Sequence, residues 1–506
     1  MASVVDELCA LSAVEARRRI GTKELSPVEL FEACIGRIEQ VNPAVNAVTA
    51  TDFDRARAGA RTAEAAVLAG EPLGLLHGLP VGVKDLQDTA GLLTTYGSPL
   101  YRDHVPAEDE AMVSRVRAAG GVIFCKTNTP EFGAGANTRN PVWGATGNPF
   151  DPMLNAGGSS GGSAVALATG MMPLATGSDT GGSLRIPAAY AGIVGFRPSP
   201  GLVPAGRRGF GWSPISVQGP MARTVADACL LLGAQAAFDG VDPLSTPLSD
   251  EPFAEPRALD LGSLRCAVSA DLGFAPVDAA YAATFEAKVR AFGGLFRACD
   301  RATPDFGEAD RCFEVIRAVN FVGQHQATYQ RDPSLLGPNV RANYEQGAAM
   351  SLADFAWAHM EQTRIYRRVQ RFFEEFDVLV TPTVPISPFP WEQPYLGEMN
   401  GERLRTYFHW LAVTYGITLT GHPAVSIPCG VDERGMPFGL QVVGPHKRDR
   451  FTLGVAHALE QVLARRPELA RPLPDLARLR EATPALRSIV THPPRSQETG
   501  VGSQAR

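Results

Sequence analysis

Two clusters of glycine and serine contain the residues of this sequence that are best suited to chemistry. The first reads Gly157-Gly158-Ser159-Ser160-Gly161-Gly162-Ser163, and the second reads Asp179-Thr180-Gly181-Gly182-Ser183. Glycine destabilises regular structure, so stacked glycines are typical of places where the backbone turns sharply or approaches a ligand closely. Successive small residues also let backbone N–H groups point together into a concavity that accepts negative charge.

The first cluster alone is open to several interpretations. A phosphate-binding loop needs a lysine after its glycines, and neither cluster has one. A nucleophile elbow of the form Gly-x-Ser-x-Gly matches twice within residues 157–162, and His422 and His446 are available downstream as its base. A tightly turned connection without a catalytic role also fits the cluster.

The second cluster favours a serine nucleophile. Gly181 and Gly182 precede Ser183, so their N–H groups could form an oxyanion hole beside its hydroxyl. A serine hydroxyl is a weak nucleophile until a base takes its proton, and no histidine lies near either cluster in the sequence. Lys84 ends an apolar segment, and a desolvated lysine has a lowered pKa and can be neutral. The alternative is that strand alternation points Lys84 to solvent, as for most lysines.

Helix and strand patterns alternate around these clusters. Helices are predicted from Pro27 to about Val41, ending at Asn42-Pro43, and at 52–69, 110–119, 164–169 and 453–463, whereas strands are predicted near 79–85, 121–125, 377–382, 424–427 and 438–443. The Pro-rich stretch 381–394 is predicted to be an extended surface loop. This α/β rhythm predicts a central mixed β-sheet covered by helices on both faces.

The domain organisation is predicted from the distribution of repeats and linkers along the sequence. No internal repeat or low-complexity linker breaks residues 5–485, which favours a single large domain over that range. The segment 490–506 is polar and contains Pro493, Pro494 and Gly500, so it is predicted to be a disordered tail.

The composition restricts the classes of function. The chain is 45% hydrophobic and 20% charged, with a formal net charge of −6, which gives no global bias toward nucleic acid or anionic membrane. The N-terminus lacks an apolar signal stretch, and the most apolar run, 164–175, is too short to span a bilayer. Eight scattered cysteines without a CxxC pair predict reduced thiols. We therefore expect a cytoplasmic protein with neither nucleic acid nor a membrane as partner.

Three sequence blocks together resemble the amidase signature family. They are Lys84-Asp85, the Gly-Gly-Ser-Ser-Gly-Gly-Ser block at 157–163, and Asp-Thr-Gly-Gly-Ser-Leu-Arg from Asp179. The spacings also match, with 75 residues from Lys84 to Ser159 and 24 from Ser159 to Ser183. The segments 126–131, 218–224 and 420–424 are similar to the family as well. The resemblance covers about residues 5–465, with a signature core at about 79–230.

The resemblance implies a Ser–cis-Ser–Lys triad. Ser183 would attack the carbonyl carbon, and Ser159, next to a cis peptide bond, would bridge Ser183 and Lys84. Water would then hydrolyse the acyl-enzyme, and no metal or cofactor is implied.

The resemblance also implies roles for the backbone near the triad. The N–H groups of Thr180, Gly181, Gly182 and Ser183 would hold the oxyanion, and Gly133 would lie in a loop that lines the substrate. Two further expectations concern side chains: Asp179 and Arg185 should pair with each other or support the loop, and Ser160 should hydrogen-bond within its turn.

The implied activity is hydrolysis of a small-molecule amide to a carboxylate and ammonia or an amine. The alternative is the A-type component of a glutamyl/aspartyl-tRNA amidotransferase, although the pattern of that component has Gln where this chain has Ile186. A non-catalytic binding protein that kept the fold is a third possibility. The resemblance implies that the stretches near 200–215 and 310–410 form the walls of the pocket. Their aromatic residues indicate an apolar or aromatic substrate, namely Phe210, Trp212, Phe321, Trp357, Tyr407 and Trp410. A homodimer is one expectation for the oligomeric state.

Overall fold

An eleven-stranded mixed sheet runs through the computed structural model, which describes residues 4–249 and 251–495. The strands in this part of the chain are β1 Val48–Thr51, β2 Pro80–Lys84, β3 Val122–Thr127, β4 Arg139–Asn140, β5 Gly144–Ala145, β6 Leu174–Asp179, β7 Val194–Arg197, β8 Val217–Ala222, β9 Arg265–Val268, β10 Ala298–Arg301, β11 Val378–Pro382, β12 Glu398–Met399, β13 Glu402–Arg403, β14 Ala424–Val431 and β15 Pro437–Val443. Eleven of them form the large sheet, whereas β4 pairs with β5 and β12 with β13.

Fifteen α-helices in the same described residues flank this sheet. They are α1 Val4–Ala10, α2 Ala13–Gly21, α3 Pro27–Val45, α4 Phe53–Ala69, α5 Ala111–Ala118, α6 Gly161–Ala168, α7 Arg185–Ala191, α8 Val225–Gln235, α9 Ala279–Phe292, α10 Ala309–Arg331, α11 Pro338–Ala348, α12 Leu352–Glu375, α13 Ala412–Thr420, α14 Asp449–Leu463 and α15 Leu476–Glu481.

The strand order of the large sheet is β1-β3-β2-β6-β8-β7-β14-β15-β11-β9-β10. The pairs β3–β2, β2–β6, β11–β9 and β9–β10 are parallel, and the remaining pairs are antiparallel. The predicted fold class, one domain built on a mixed sheet between helices, is confirmed.

Strand β2 lies inside the sheet, between two parallel neighbours. All five of its residues are buried, including Lys84 at its carboxyl end. A parallel strand covered on both faces has no solvent side, so the alternation that would have pointed Lys84 outward does not apply. The strand therefore delivers a lysine side chain to the interior.

Helix α6 begins inside the first glycine-serine cluster and is buried along its whole length. It starts at Gly161, three residues before the predicted start. A Cβ atom on Gly162 would lie 2.2 Å from the backbone nitrogen of Asn128, so the helix could not approach its neighbour with any side chain there. The glycines of this cluster thus let a helix pack against the sheet.

Two predictions about proline-containing segments were wrong. Helix α3 continues through Pro43 to Val45, because a proline near the last turn forfeits one hydrogen bond without ending the helix. The stretch 381–394 is not a surface loop over most of its length: Thr383, Val384 and Phe389 are buried, whereas Pro390 and residues 392–394 are exposed. The carbonyl of Phe389 accepts the backbone N–H and the side-chain amide of Asn155, each at 2.8 Å, so this buried carbonyl is satisfied inside the protein.

The chain ends are described in part. Thr491 donates its backbone N–H to Pro141 at 3.0 Å, and the predicted disordered tail lies outside the described residues from 496 onward. None of the helices within 4–249 and 251–495 combines the length and the hydropathy needed to cross a membrane.

Candidate active site

The side-chain nitrogen of Lys84 is surrounded by serine hydroxyls. It lies 2.7 Å from Ser159 Oγ, 2.8 Å from Ser160 Oγ and 3.0 Å from Ser178 Oγ. The backbone N–H of Lys84 also donates to Thr176 Oγ1 at 3.0 Å, which fixes the strand end beside β6. The sequence-predicted base and bridge are therefore brought into direct contact.

Burial shifts the charge state of Lys84 toward the neutral amine. Removal from water disfavours the charged form and lowers the pKa of Lys84 to about 7, although the negative charge of Asp179 acts in the opposite direction. Its three side-chain partners are neutral hydroxyls, so none of them compensates the charge of an ammonium ion. A neutral amine is therefore accessible at this position.

The first glycine-serine cluster places Ser159 and Ser160 beside Lys84. The peptide bond between Gly158 and Ser159 is cis, which is the bond that the family resemblance placed next to Ser159. Ser160 does not hydrogen-bond within its turn as expected, because Lys84 and strand β6 lie within reach of its hydroxyl: Oγ accepts from Lys84 Nζ and donates to the carbonyl of Ser178 at 3.3 Å.

Ser178 is a contact of Lys84 that the sequence analysis missed. It lies on β6 two residues after Thr176, and residues two apart in a strand share a face. Both hydroxyls accept hydrogen bonds from Lys84 at the end of β2: the Ser178 hydroxyl from its side chain and the Thr176 hydroxyl from its backbone N–H. The alternation of hydroxyl residues in Thr176-Gly177-Ser178 could have predicted that Ser178 faces Lys84.

Ser183 is half-buried and lies just before helix α7. Its carbonyl oxygen accepts the backbone N–H of Ser160 at 3.3 Å, which joins the two glycine-serine clusters. The two clusters are thus neighbours in space, with Ser183 on one side and Ser159 with Lys84 on the other.

The loop before Ser183 is held by Asp179. Gly182 has a φ of 125°, and its N–H donates to Asp179 Oδ1 at 2.9 Å. No residue within the described ranges accepts the N–H groups of Thr180, Gly181 or Ser183. These three donors are therefore available to an oxyanion, whereas the N–H of Gly182, which the resemblance also assigned to it, is already engaged.

Asp179 is the centre of a buried ionic network. Arg185 Nη2 lies 2.9 Å and Arg197 Nη1 3.1 Å from its Oδ1, and all three side chains are fully buried. Burial alone would raise the pKa of Asp179, but the two guanidinium groups outweigh it and hold that pKa well below its usual range. The expected pairing of Asp179 with Arg185 is confirmed, and Arg197 is an addition.

Gly133 lies against Ser159. Its φ is 72°, and a Cβ atom there would lie 3.0 Å from Leu86 Cδ1 and 3.3 Å from Ser159 Oγ. The loop around Gly133 therefore forms a close wall beside Ser159, and a side chain at this position would reduce the space there.

The six aromatic residues of the variable stretches do not form one group. Trp212 is 78% exposed, Trp410 packs on Phe389 in the core, and Trp357 stacks under Arg311. Phe321 and Tyr407, in contrast, share one neighbour, because both rings lie against the guanidinium of Arg317.

The histidines of the nucleophile-elbow alternative bind elsewhere. His422 contacts the carbonyl of Thr420 and the side chain of Gln370, and His446 contacts the hydroxyl of Tyr366. Burial lowers the pKa of His422 to about 3. No group of three or more His, Cys, Asp or Glu side chains in residues 4–249 and 251–495 is arranged as a metal site.

Comparisons with known proteins agree with this architecture. The model of the Amidase family matches residues 29–453. An acylamidase from Rhodococcus erythropolis is 34% identical over 459 residues, covering 89% of this chain and 95% of that protein. The A-type component of the glutamyl-tRNA(Gln) amidotransferase from Thermosynechococcus vestitus is 33% identical, covering 88% and 97%.

The similarity extends to solved structures. The crystal structure of a bacterial aryl acylamidase of the amidase signature family superposes with a TM-score of 0.84 at 28% identity, covering 90% of this chain and 96% of that one. The chain belongs to the amidase signature family and is an amide-hydrolysing enzyme.

Proposed function

We propose that the protein is a serine amidase that forms an acyl-enzyme on Ser183, with Ser159 as the proton bridge and Lys84 as the base. The observation that carries this proposal is the 2.7 Å contact between Lys84 Nζ and Ser159 Oγ in a fully buried setting. A lysine acts as a base only when it is neutral, and its lowered pKa, about 7, meets that condition.

The hydrogen bonds around Lys84 favour Ser159 as the group that feeds the base. A neutral amine donates two hydrogen bonds and accepts one. The hydroxyl proton of Ser160 is directed to the carbonyl of Ser178, so Ser160 receives a hydrogen bond from Lys84 rather than giving one. Donation from Lys84 to Ser160 and Ser178 leaves its lone pair for the hydroxyl of Ser159.

Acylation then follows from proton transfer through the bridge. Ser183 Oγ forms a bond to the carbonyl carbon, its proton moves to Ser159 Oγ, and the proton of Ser159 moves to Lys84 Nζ. The carbonyl oxygen gains a negative charge, which the free N–H groups of Thr180, Gly181 and Ser183 stabilise.

Collapse of the tetrahedral intermediate reverses the relay. The carbon–nitrogen bond breaks as the proton returns from Lys84 through Ser159 to the leaving nitrogen, which departs as ammonia or an amine. Water, activated by the same relay, attacks the ester on Ser183, and its hydrolysis releases a carboxylate and restores the serine.

Replacement of the nucleophile tests the proposal. Ser183→Ala should abolish hydrolysis of aryl and aliphatic amides and should prevent labelling by a fluorophosphonate probe. Ser163→Ala is the control, because Ser163 is a buried serine of the first cluster whose hydroxyl contacts Thr127 and the carbonyl of Thr176 rather than Lys84. Ordinary turnover by Ser183→Ala would show that another group attacks the substrate.

A second candidate is the ammonia-generating component of a tRNA amidotransferase. The extent of similarity to the T. vestitus protein, 33% over 472 residues, favours it as an alternative. Ile186, which stands where the pattern of such components has Gln, is buried against Gly182 beside the nucleophile and argues against it. Amide hydrolysis by the purified chain on its own supports the stand-alone amidase. Glutamine-dependent activity that requires further protein chains supports the amidotransferase.

A further inference from the structure

Arg317 is a buried cation without a carboxylate partner. It lies on α10 and is 7% exposed, and no Asp or Glu in the described residues forms an ion pair with it. Two other buried arginines, Arg185 and Arg197, both reach the carboxylate of Asp179. A guanidinium stays charged in a protein, so its burial without a counter-ion is costly.

The groups around Arg317 are all neutral. Nε donates to Asn343 Oδ1 at 3.1 Å, and Nη2 donates to the hydroxyl of Tyr407 at 2.6 Å. The rings of Phe321 and Phe408 lie 4.9 Å and 5.1 Å from Cζ. Nη1 has no hydrogen-bond acceptor among the described residues, so the guanidinium keeps donors for a further ligand.

The helix face that carries Arg317 joins the two sides of the active site. One turn earlier, Phe313 Cζ would lie 3.1 Å from a Cβ atom on Gly181, in the loop before Ser183. One turn later, Phe321 contacts His325, whose ring lies 4.8 Å from that of Phe132.

Phe132 immediately precedes Gly133, which abuts Ser159. Arg317 therefore lies midway along a continuous line of contacts that runs from the loop of Ser183 to the wall beside Ser159.

The same face carries further polar atoms that lack partners. Asn320 and His325 are only 8% and 7% exposed. Their atoms Oδ1 and Nε2, respectively, are buried and make no hydrogen bond within the described part of the chain. Residues 317, 320, 321 and 325 share one face of a helix. Three buried polar side chains with unused hydrogen-bonding capacity on one face indicate a site that a polar ligand completes.

We infer that Arg317 binds an anionic group of the substrate, so that the preferred substrates are amides that also carry a carboxylate. The carboxylate would accept from Nη1, and Asn320 and His325 would contact the polar part of the same molecule. Charge-assisted hydrogen bonds of this kind are strong where water is excluded. This inference rests on the proposed function, because it concerns the substrate of that same active site.

The test compares matched substrates within each variant. The first pair is adipic acid monoanilide and hexananilide, which place a carboxylate or a methyl group on the acyl side. The second pair is hexanoylglycine and N-methylhexanamide, which vary the amine side. We expect the native enzyme to favour the carboxylate member of one pair by at least about tenfold in kcat/KM, which corresponds to about 1.4 kcal/mol. Arg317→Met should remove that ratio, and Arg317→Lys should restore part of it.

Arg311→Met is the matched control. Arg311 lies on the same helix and stacks on Trp357 at 4.1 Å, but it pairs with Asp354 and is about half exposed. Its replacement should leave the ratio of each pair unchanged. If Arg317→Met lowered kcat/KM equally for both members of a pair, Arg317 would only support the packing of the rings around it, and the inference would be overturned. A native enzyme that showed no preference within either pair would overturn it as well.

Direct binding separates this inference from the proposed mechanism. Calorimetry with Ser183→Ala protein measures the affinity for the carboxylate and neutral anilides without requiring turnover. Tighter binding of the carboxylate that Arg317→Met removes supports the anion site even if the nucleophile assignment fails. Equal affinity for both anilides and for both amine-side probes contradicts the anion site even if Ser183 is the nucleophile.

Discussion

Asp179 and Arg185 form a fully buried ion pair, with Arg185 Nη2 2.9 Å from Asp179 Oδ1, at the start of the loop that carries Ser183. The same oxygen accepts the N–H of Gly182, and Arg197 approaches it at 3.1 Å. One carboxylate thus compensates two buried cations and fixes a loop in which the N–H groups of Thr180, Gly181 and Ser183 have no acceptor among the described residues.

Removal of that carboxylate's charge should destabilise the protein strongly. Asp179→Asn leaves Arg185 and Arg197 buried without a counter-ion, and we expect the free energy of unfolding to fall by about 3–5 kcal/mol. Denaturant unfolding measures the change. Glu32→Gln, at the exposed pair of Glu32 with Arg57, is the control and should cost less than about 1 kcal/mol. Equal stability of both variants would contradict the role of Asp179.

The activity should rise with pH through neutrality. Below its pKa of about 7, Lys84 is protonated and cannot accept the proton of Ser159, whereas above that pH it is neutral and can. We therefore expect kcat/KM to increase from about pH 5 and to level off above about pH 8. Lys84→Arg should be inactive across the range, because a guanidinium does not become neutral. A flat profile over this range would argue for a different base.

Part of the site could be predicted from the sequence because each of its segments carries a short, recognisable motif. The motifs around Lys84, Ser159 and Ser183, read with the family resemblance, predicted one site; the fold brings Lys84 into contact with Ser159, and the carbonyl of Ser183 accepts the N–H of Ser160. The predicted start of α3 at Pro27 is confirmed, and it depends on a capping box of four adjacent residues, in which the side chains of Ser26 and Glu29 each accept the other's backbone N–H.

The parts that the sequence did not predict depend on distant contacts. Ser178 reaches Lys84 only because β6 pairs with β2, and Arg197 meets Asp179 across the sheet. Within the segment 381–394, the buried carbonyl of Phe389 is satisfied by Asn155, more than two hundred residues earlier. The local sequence around Ser178, Arg197 or Phe389 contains no pattern that predicts these distant partners.

The hydroxyl of Ser178 should tune the pKa of Lys84. It accepts a hydrogen bond from Nζ at 3.0 Å, and loss of an acceptor disfavours the ammonium form. Ser178→Ala should therefore shift the midpoint of the pH profile to lower pH and reduce kcat by about tenfold or less. Ser178→Thr should restore the midpoint. Ser163→Ala, which removes a hydroxyl that does not contact Lys84, should not move it, and an unshifted midpoint in Ser178→Ala would refute the assignment.

The space beside Ser159 should depend on Gly133. Ala at this position would place its Cβ 3.3 Å from Ser159 Oγ, so we expect Gly133→Ala to lower kcat/KM as the bridge is displaced. Gly70→Ala is the matched control, because Gly70 has the same φ of 72° but no atom within 4 Å of the added Cβ. Both variants should lose about 1 kcal/mol of stability, since both force a left-handed backbone on alanine. Parallel unfolding and kinetic measurements separate the two effects, and equal activity of the two variants would show that Gly133 supplies backbone conformation alone.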